Sequence, residues 1–331
     1  MSNRPIRVGI IGAGAIGYRV AKGFATHAET ELVAICDTNP ELAAKVAAEL
    51  GAPRWSTDFR ELLDQVDLVY LGVPPKFHHA MALEILAADI HLFCEKPLAL
   101  NLAEAESMYG AALRSCKVHA VNLSGHYSAS ARLFLEQLQA GYIGEFRRAE
   151  IAMVFPQWPR GWQQNGWIAG REQGGPVREV GPHMFYLILQ AFGPVKRVHA
   201  MMEYPTAPQQ SARVEPACET GAYGVLELAS GHLVTVKALC GVQRENEMTV
   251  TAYGTGGTLS LKNFSLLGAQ DDGALQPLAP TAEAPNAITE LVKAVRGEAA
   301  DLPGFEVGLA IQQILEAWER SAATGEWVAL S

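Results

Sequence analysis

Residues 90–97, Ile-His-Leu-Phe-Cys-Glu-Lys-Pro, end an apolar run in a carboxylate, an ammonium and a proline. Pro97 cannot donate to a sheet ladder, so a buried strand must stop there and leave Glu95 and Lys96 at its carboxyl edge. Ligands of open parallel sheets bind beyond that edge, so the two charges serve either as ligand contacts or as an ion pair closing the strand. A second constellation, Gly12-Ala-Gly14-Ala15-Ile16-Gly17, separates a β-rich run from a helical one. That spacing allows a tight turn at Gly12, backbone approach to a pyrophosphate at Gly14, and close helix–strand packing at Gly17. The next strand, residues 31–36, runs into Asp37, where a ribose-binding acid belongs. Thr38 and Asn39 follow it and bring no arginine for a 2′-phosphate, so NAD is expected over NADP.

These groups need a doubly wound sheet to hold them. After the strand at 6–11 and the helix at 18–26, helices are expected at 41–50, 58–63, 79–88 and 102–114, and strands near 53–55, 67–71, 90–94 and 117–123. The turn Gly72-Val73-Pro74-Pro75 and His78 at the following helix start face the same cleft, so Val73, Pro74 and His78 join the cofactor candidates. Six parallel strands then make a first domain over residues 1–122, and residues 123–331 form an α+β domain. Its strands, expected at 147–155, 195–203, 222–229, 232–240, 248–253 and 258–261, are joined by short turns such as Ser230-Gly231, which makes a large, mostly antiparallel open sheet. Helical patterns at 131–140, 281–297 and 305–323 accompany it. Residues 156–183 carry Trp158, Trp162, Trp167, Arg160, Arg171 and Arg178, and read either as a substrate loop or as a loop packed by its own tryptophans. Strand 232–240 is apolar on both faces, with Leu233 and Leu239 opposite Val234, Val236 and Ala238. Each face therefore needs a cover, either helices of the chain itself or a second copy of it.

The 331 residues are 49% hydrophobic and 18% charged, as in an ordinary globular protein of two domains. A net charge of −9 argues against a nucleic-acid partner. No apolar run has membrane-spanning length and no signal-peptide pattern opens the chain, so a cytoplasmic protein is expected. The five cysteines lack metal or redox spacing and read as reduced core residues. No metal site is expected.

Taken together, Gly12-x-Gly14-x-x-Gly17, Asp37, Val73-Pro-Pro-x-x-His78, Cys94-Glu-Lys-Pro-Leu-Ala99, Gly174-Gly175 and His183 resemble the Gfo/Idh/MocA oxidoreductases over nearly the whole chain. The resemblance implies NAD-dependent hydride exchange with a sugar, cyclic polyol or similar hydroxylated substrate, and a homo-oligomer. Some relatives instead sense the dinucleotide and regulate transcription. In this family the lysine of Glu-Lys-Pro meets both nicotinamide and substrate, and the Lys96–Pro97 bond is a candidate cis bond. The family's aspartate four residues before the histidine is replaced here by Glu179, which with Lys96 and His183 makes the expected catalytic set. Either Lys96 or His183 is then the proton acceptor. Pro182 leaves open whether one helix carries both Glu179 and His183. Arg178 replaces an apolar residue of the pattern, and serves either an anionic substrate group or Glu179. Trp162, Trp167, Arg171, Arg178 and His126 are the substrate candidates.

Overall fold

The computed structural model describes residues 4–163, 165–205, 216–271 and 273–330. The chain divides into two compact units, one running to Asn122 and joined by Pro285–Leu309, the other comprising Leu123–Ala284 and Ala310–Ser331. In the first, strands β1 (Ile6–Ile11), β2 (Thr30–Cys36), β3 (Arg54–Ser56), β4 (Leu68–Leu71), β5 (His91–Cys94) and β6 (His119–Val121) alternate with helices α1 (Ala15–Thr26), α2 (Pro40–Leu50), α3 (His78–Ala87) and α4 (Leu102–Ser115). All six strands pair in parallel in the order β3-β2-β1-β4-β5-β6, so the order reverses between β1 and β4. Val8, Ile10, Leu68 and Phe93 are buried in the core of this unit. Residues 58–63 form a single 3₁₀ turn, Phe59–Leu62, where an α-helix is expected.

In the second unit, α5 (Ala129–Gln139) and α6 (Pro176–Phe192) pack on a mixed sheet. Its strands are β7 (Phe146–Phe155), β8 (Val195–Glu203), β9 (Gly221–Leu228), β10 (Leu233–Cys240), β11 (Glu247–Gly254), β12 (Gly257–Lys262), β13 (Ser265–Gln270), β14 (Gln276–Leu278) and β15 (Val328–Ala329). The order is β14-β13-β12-β11-β7-β10-β9-β8-β15, and β7–β10 is the parallel pair among the described residues. Residues along β10 alternate between exposed and buried from Leu233 to Ala238. Val234, Val236 and Ala238 lie in the core, whereas Leu233 is 45% exposed, with Met201 and Tyr223 exposed on β8 and β9. Helices of the chain itself therefore cover one face, and the face of Leu233, Thr235 and Lys237 stays open.

Two further expectations need correction, and the question left open at Pro182 is answered. The segment holding α7 (Ala287–Val295), assigned by sequence to the second domain, buries Ile288, Leu291 and Val292 among Ile6, Phe24 and Leu32 of the first unit. Helix α8 (Phe305–Thr324) belongs to the second unit from Ala310 onward and buries Trp318 completely. Pro182 does not break a helix: α6 runs through it. The residue before a proline is crowded away from helical backbone by its Cβ, and here that residue is Gly181, which has none. Last, Cys116 is exposed at the left-handed C-cap of α4, while Cys36, Cys94 and Cys218 are buried as expected.

Candidate active site

In the first unit the chemistry-bearing residues gather at the carboxyl ends of β1, β2, β4 and β5, around the point where the strand order reverses. That is where open α/β sheets hold ligands. Gly12 takes φ +95, and a Cβ on it would lie 2.3 Å from the Gly72 carbonyl oxygen. One on Gly17 would lie 1.8 Å from the Gly12 carbonyl oxygen. These two positions thus close the turn onto α1 and onto the Gly72–Val73 turn after β4. Gly14 is different. Apart from its chain neighbours, no atom of the described residues comes within 4 Å of a Cβ placed there, so the open space at the start of α1 suits a close-approaching phosphate group. Ala15 and Ile16 follow as the first residues of α1. Asp37 accepts the Ala13 N–H at 2.8 Å through Oδ2 and the Asn39 N–H at 2.9 Å through Oδ1. Each oxygen retains acceptor capacity for a ribose hydroxyl. The Gly-rich turn, the helix start and the acid together fit a dinucleotide.

Glu95 and His78, expected as cofactor contacts, are buried by the protein itself. Glu95 accepts from Tyr70 Oη at 2.8 Å, Asn122 Nδ2 at 2.6 Å and the Lys96 N–H at 3.2 Å. Tyr70 lies under the Gly72 turn, where a Cβ would meet its ring at 2.5 Å. His78 has no exposed surface. Its Nε2 is 2.8 Å from the Val73 carbonyl oxygen, and its Nδ1 lies 3.0 Å and 3.2 Å from those of Pro97 and Leu98. Burial lowers the pKa of this imidazole against the pull of those carbonyls. His78 therefore ties the Val73–Pro74 turn to the corner after β5, where the Lys96–Pro97 bond is cis. Lys96 itself is partly exposed at that corner.

In the second unit, α6 carries Glu179 and His183 four residues apart, hence on one face. Glu179 is 5% exposed and accepts from Gln163 Nε2 at 3.3 Å. The same Gln163 accepts the Arg160 N–H at 3.0 Å and Nε–H at 3.1 Å. The Arg160 guanidinium stands against the rings of Phe155, Trp158 and Trp162. Burial lowers its pKa, and the Glu179 charge opposes that. Thus part of the tryptophan loop is organised around Arg160, which the sequence reading named as a loop residue, and Gln163, which it did not consider. His183 is partly exposed, with Nδ1 3.3 Å from the Ser124 hydroxyl.

The other substrate candidates scatter. His126 is buried, 2.6 Å from the Tyr186 hydroxyl and edge-on to Tyr127, so it is a packing residue of this unit. Arg178 pairs with Glu319 of α8, an acid that sequence reasoning did not consider. Arg171 donates to the Ala217 carbonyl and stacks 3.6 Å from the Tyr204 ring centroid. These two arginines line a cleft with Tyr204, Glu219 and Glu319, whereas Glu179 and His183 turn to another side of α6. Trp162 is half exposed, and Trp167 is partly buried in the 3₁₀ turn Gly166–Ala169. Among the described residues no group of three potential metal ligands occurs, and no helix is long and apolar enough to cross a membrane.

A six-stranded doubly wound sheet with a Gly-rich turn and an acid after β2 defines a dinucleotide-binding unit. Residues 6–123 match the GFO/IDH/MocA oxidoreductase family with NAD-binding Rossmann fold, and residues 132–260 match the GFO/IDH/MocA C-terminal domain. The chain belongs to this family of NAD-binding oxidoreductases. It is 28% identical over 355 aligned positions to D-glucoside 3-dehydrogenase of Escherichia coli (strain K12), covering 100% of this chain and 99% of that one. It is 26% identical to levoglucosan dehydrogenase of Pseudarthrobacter phenanthrenivorans over 77% of this chain and 73% of that protein. The structure of levoglucosan dehydrogenase in complex with NADH shares the fold, with a TM-score of 0.85 at 21% identity, covering 99% of this chain and 100% of that one.

Proposed function

We propose that this protein oxidises a ring hydroxyl of a glucoside-like or anhydro sugar, or reduces the matching ketone, with NAD as the hydride partner. The sugar class rests on the end-to-end similarity to D-glucoside 3-dehydrogenase and on the relatives named for anhydro sugars. The observation that carries the chemistry is the unbroken α6, which presents Glu179 and His183 on one face. When bound, the nicotinamide supplies the hydride exchange. The chain supplies position and proton transfer. His183 takes the hydroxyl proton, for which an imidazole is suited near neutral pH. Glu179, one turn earlier, favours the imidazolium that forms. Lys96 hydrogen-bonds the reacting oxygen and stabilises negative charge developing there. His183→Ala should lower turnover by about 10²- to 10⁴-fold with NADH affinity kept, and Lys96→Ala should lower turnover as well. Near wild-type turnover in both variants would refute the assignment.

The open sheet face supports a homo-oligomer, since Met201, Tyr223 and Leu233 there are apolar and exposed. A monomer in sedimentation at micromolar concentration would overturn that assembly.

A further inference from the structure

Helix α6 starts without a cap of its own. Its N-cap is Gly175, which has no side chain to offer, and its first residue, Pro176, has no N–H. The first free amide, that of Val177, donates at 3.0 Å to Oε1 of Glu219, a residue just before β9 that is 5% exposed. Gly175 makes room for this. It takes φ +99, and a Cβ on it would lie 2.2 Å from Glu219 Oε2. The segment that carries Glu219 also holds the inner end of the tryptophan loop through its backbone. The Cys218 N–H donates to the Ala169 carbonyl at 2.8 Å, and the Arg171 N–H donates to that of Pro216 at 2.8 Å. One short segment therefore fixes both the loop and the start of the helix that bears Glu179 and His183.

We propose that Glu219 is a positioning residue of the hydride-transfer site, its buried carboxyl serving as the N-terminal cap that sets the first turn of α6 and hence the placement of Glu179 and His183. This rests on the assignment of Glu179 and His183 to the chemistry. Burial pushes the Glu219 carboxyl up to about 7, against the Val177 N–H and the Arg178 guanidinium that hold it down. The other groups facing it are Glu319 from α8, whose charge raises it further, the Arg171 guanidinium and Tyr204 hydroxyl of the flanking loops, and the Cys218 and Cys240 thiols, both kept neutral by burial. Glu219 therefore changes charge near neutral pH. The ionised form is the stronger cap, because a carboxylate complements the partial positive charge of a helix start.

The test compares Glu219→Ala, Glu219→Gln and Gly175→Ala in the full chain, reading hydrogen exchange of the α6 peptides and turnover across pH. Glu219→Ala should speed exchange of the first turn of α6 about fivefold, the factor of one lost cap, and lower kcat, with NADH affinity unchanged. Glu219→Gln keeps an acceptor for the Val177 N–H but carries no charge, so its protection should fall between that of Glu219→Ala and wild type. It should also remove the contribution of Glu219 from the acid limb of the pH profile. Gly175→Ala displaces the native carboxylate and should behave as Glu219→Ala does, which covers the case in which Glu219→Ala fails to fold. Wild-type protection of α6 in both Glu219→Ala and Gly175→Ala would overturn the proposal, as would an acid limb unchanged in Glu219→Gln. Loss of turnover in His183→Ala alongside either result places the failure on Glu219, whereas retained turnover in His183→Ala places it on the catalytic assignment.

Discussion

Gly14 and Gly17 sit three residues apart in one motif, yet adding a methyl group should have opposite consequences at the two sites. At Gly17 the new Cβ would lie 1.8 Å from the Gly12 carbonyl oxygen, 1.2 Å short of the 3.0 Å that real Cβ atoms keep. The obstacle is backbone on both sides, so α1 must withdraw from the turn. Overpacking of this kind costs about 1–3 kcal/mol, which lowers the melting temperature by several degrees. At Gly14 the backbone is already ordinary, with φ −62 and ψ −172, and apart from its chain neighbours no atom of the described residues lies within 4 Å of the methyl group. An N-cap alanine in place of glycine costs at most about 1 kcal/mol, so Gly14→Ala should melt close to wild type. The methyl group would, however, occupy the space through which a pyrophosphate approaches the backbone. NADH should then bind at least about tenfold more weakly, a loss of ~1.4 kcal/mol. Thermal unfolding without cofactor and NADH fluorescence titration separate the two effects. Wild-type NADH affinity in Gly14→Ala would refute the reading of that open space as the phosphate site, and a wild-type melting temperature in Gly17→Ala would refute the close-approach argument.

The Asp37 carboxylate repels a 2′-phosphate and accepts from a free 2′-hydroxyl, so NADH should bind more tightly than NADPH and Asp37→Ala should narrow the gap; tighter NADPH binding by the wild type contradicts this. Burial raises the Asp67 carboxyl, but hydrogen bonds from Arg7 and Arg4 outweigh it and hold the group down to about 2. Because the folded-state value is depressed, the stabilisation is complete above the ordinary carboxyl range and is lost as pH falls toward about 2. Asp67→Asn should therefore cost about 1–2 kcal/mol near neutral pH, after discounting for the half-exposed Arg4, and the cost should vanish in acid-range denaturant titrations. An equal cost at both pH values would remove the ionic explanation.

How much of this was legible depended on whether a residue's role was set by its neighbours in sequence. The parallel strands, the Gly-rich turn and Asp37 were readable because each is a local pattern with a fixed offset from the next. The cap on α6 was not, since Glu219 lies 42 residues from Val177 and belongs to another element. Gln163 was hidden because its link to Glu179 spans 16 residues, in a loop whose tryptophans suit a substrate or a packed core equally well. His78 was visible as a residue but not as a tie between two backbone corners, because no side-chain pattern encodes carbonyl acceptors. Helix α7 was legible as an amphipathic helix, yet periodicity cannot say which core its apolar face enters. Edge strands β14 and β15 escaped notice because they are only three and two residues long, and an edge needs less apolar alternation than a buried strand.

The central claim is that this chain moves a hydride between NAD and a sugar. Incubation with NAD and a panel of glucosides, anhydro sugars and cyclic polyols, read by NADH absorbance together with the mass of the recovered sugar, tests it most directly. The account predicts one NADH formed for each sugar molecule that has lost two hydrogens. NADH bound with wild-type affinity, but no absorbance change and every sugar recovered intact, would contradict it and mark the chain as a dinucleotide sensor.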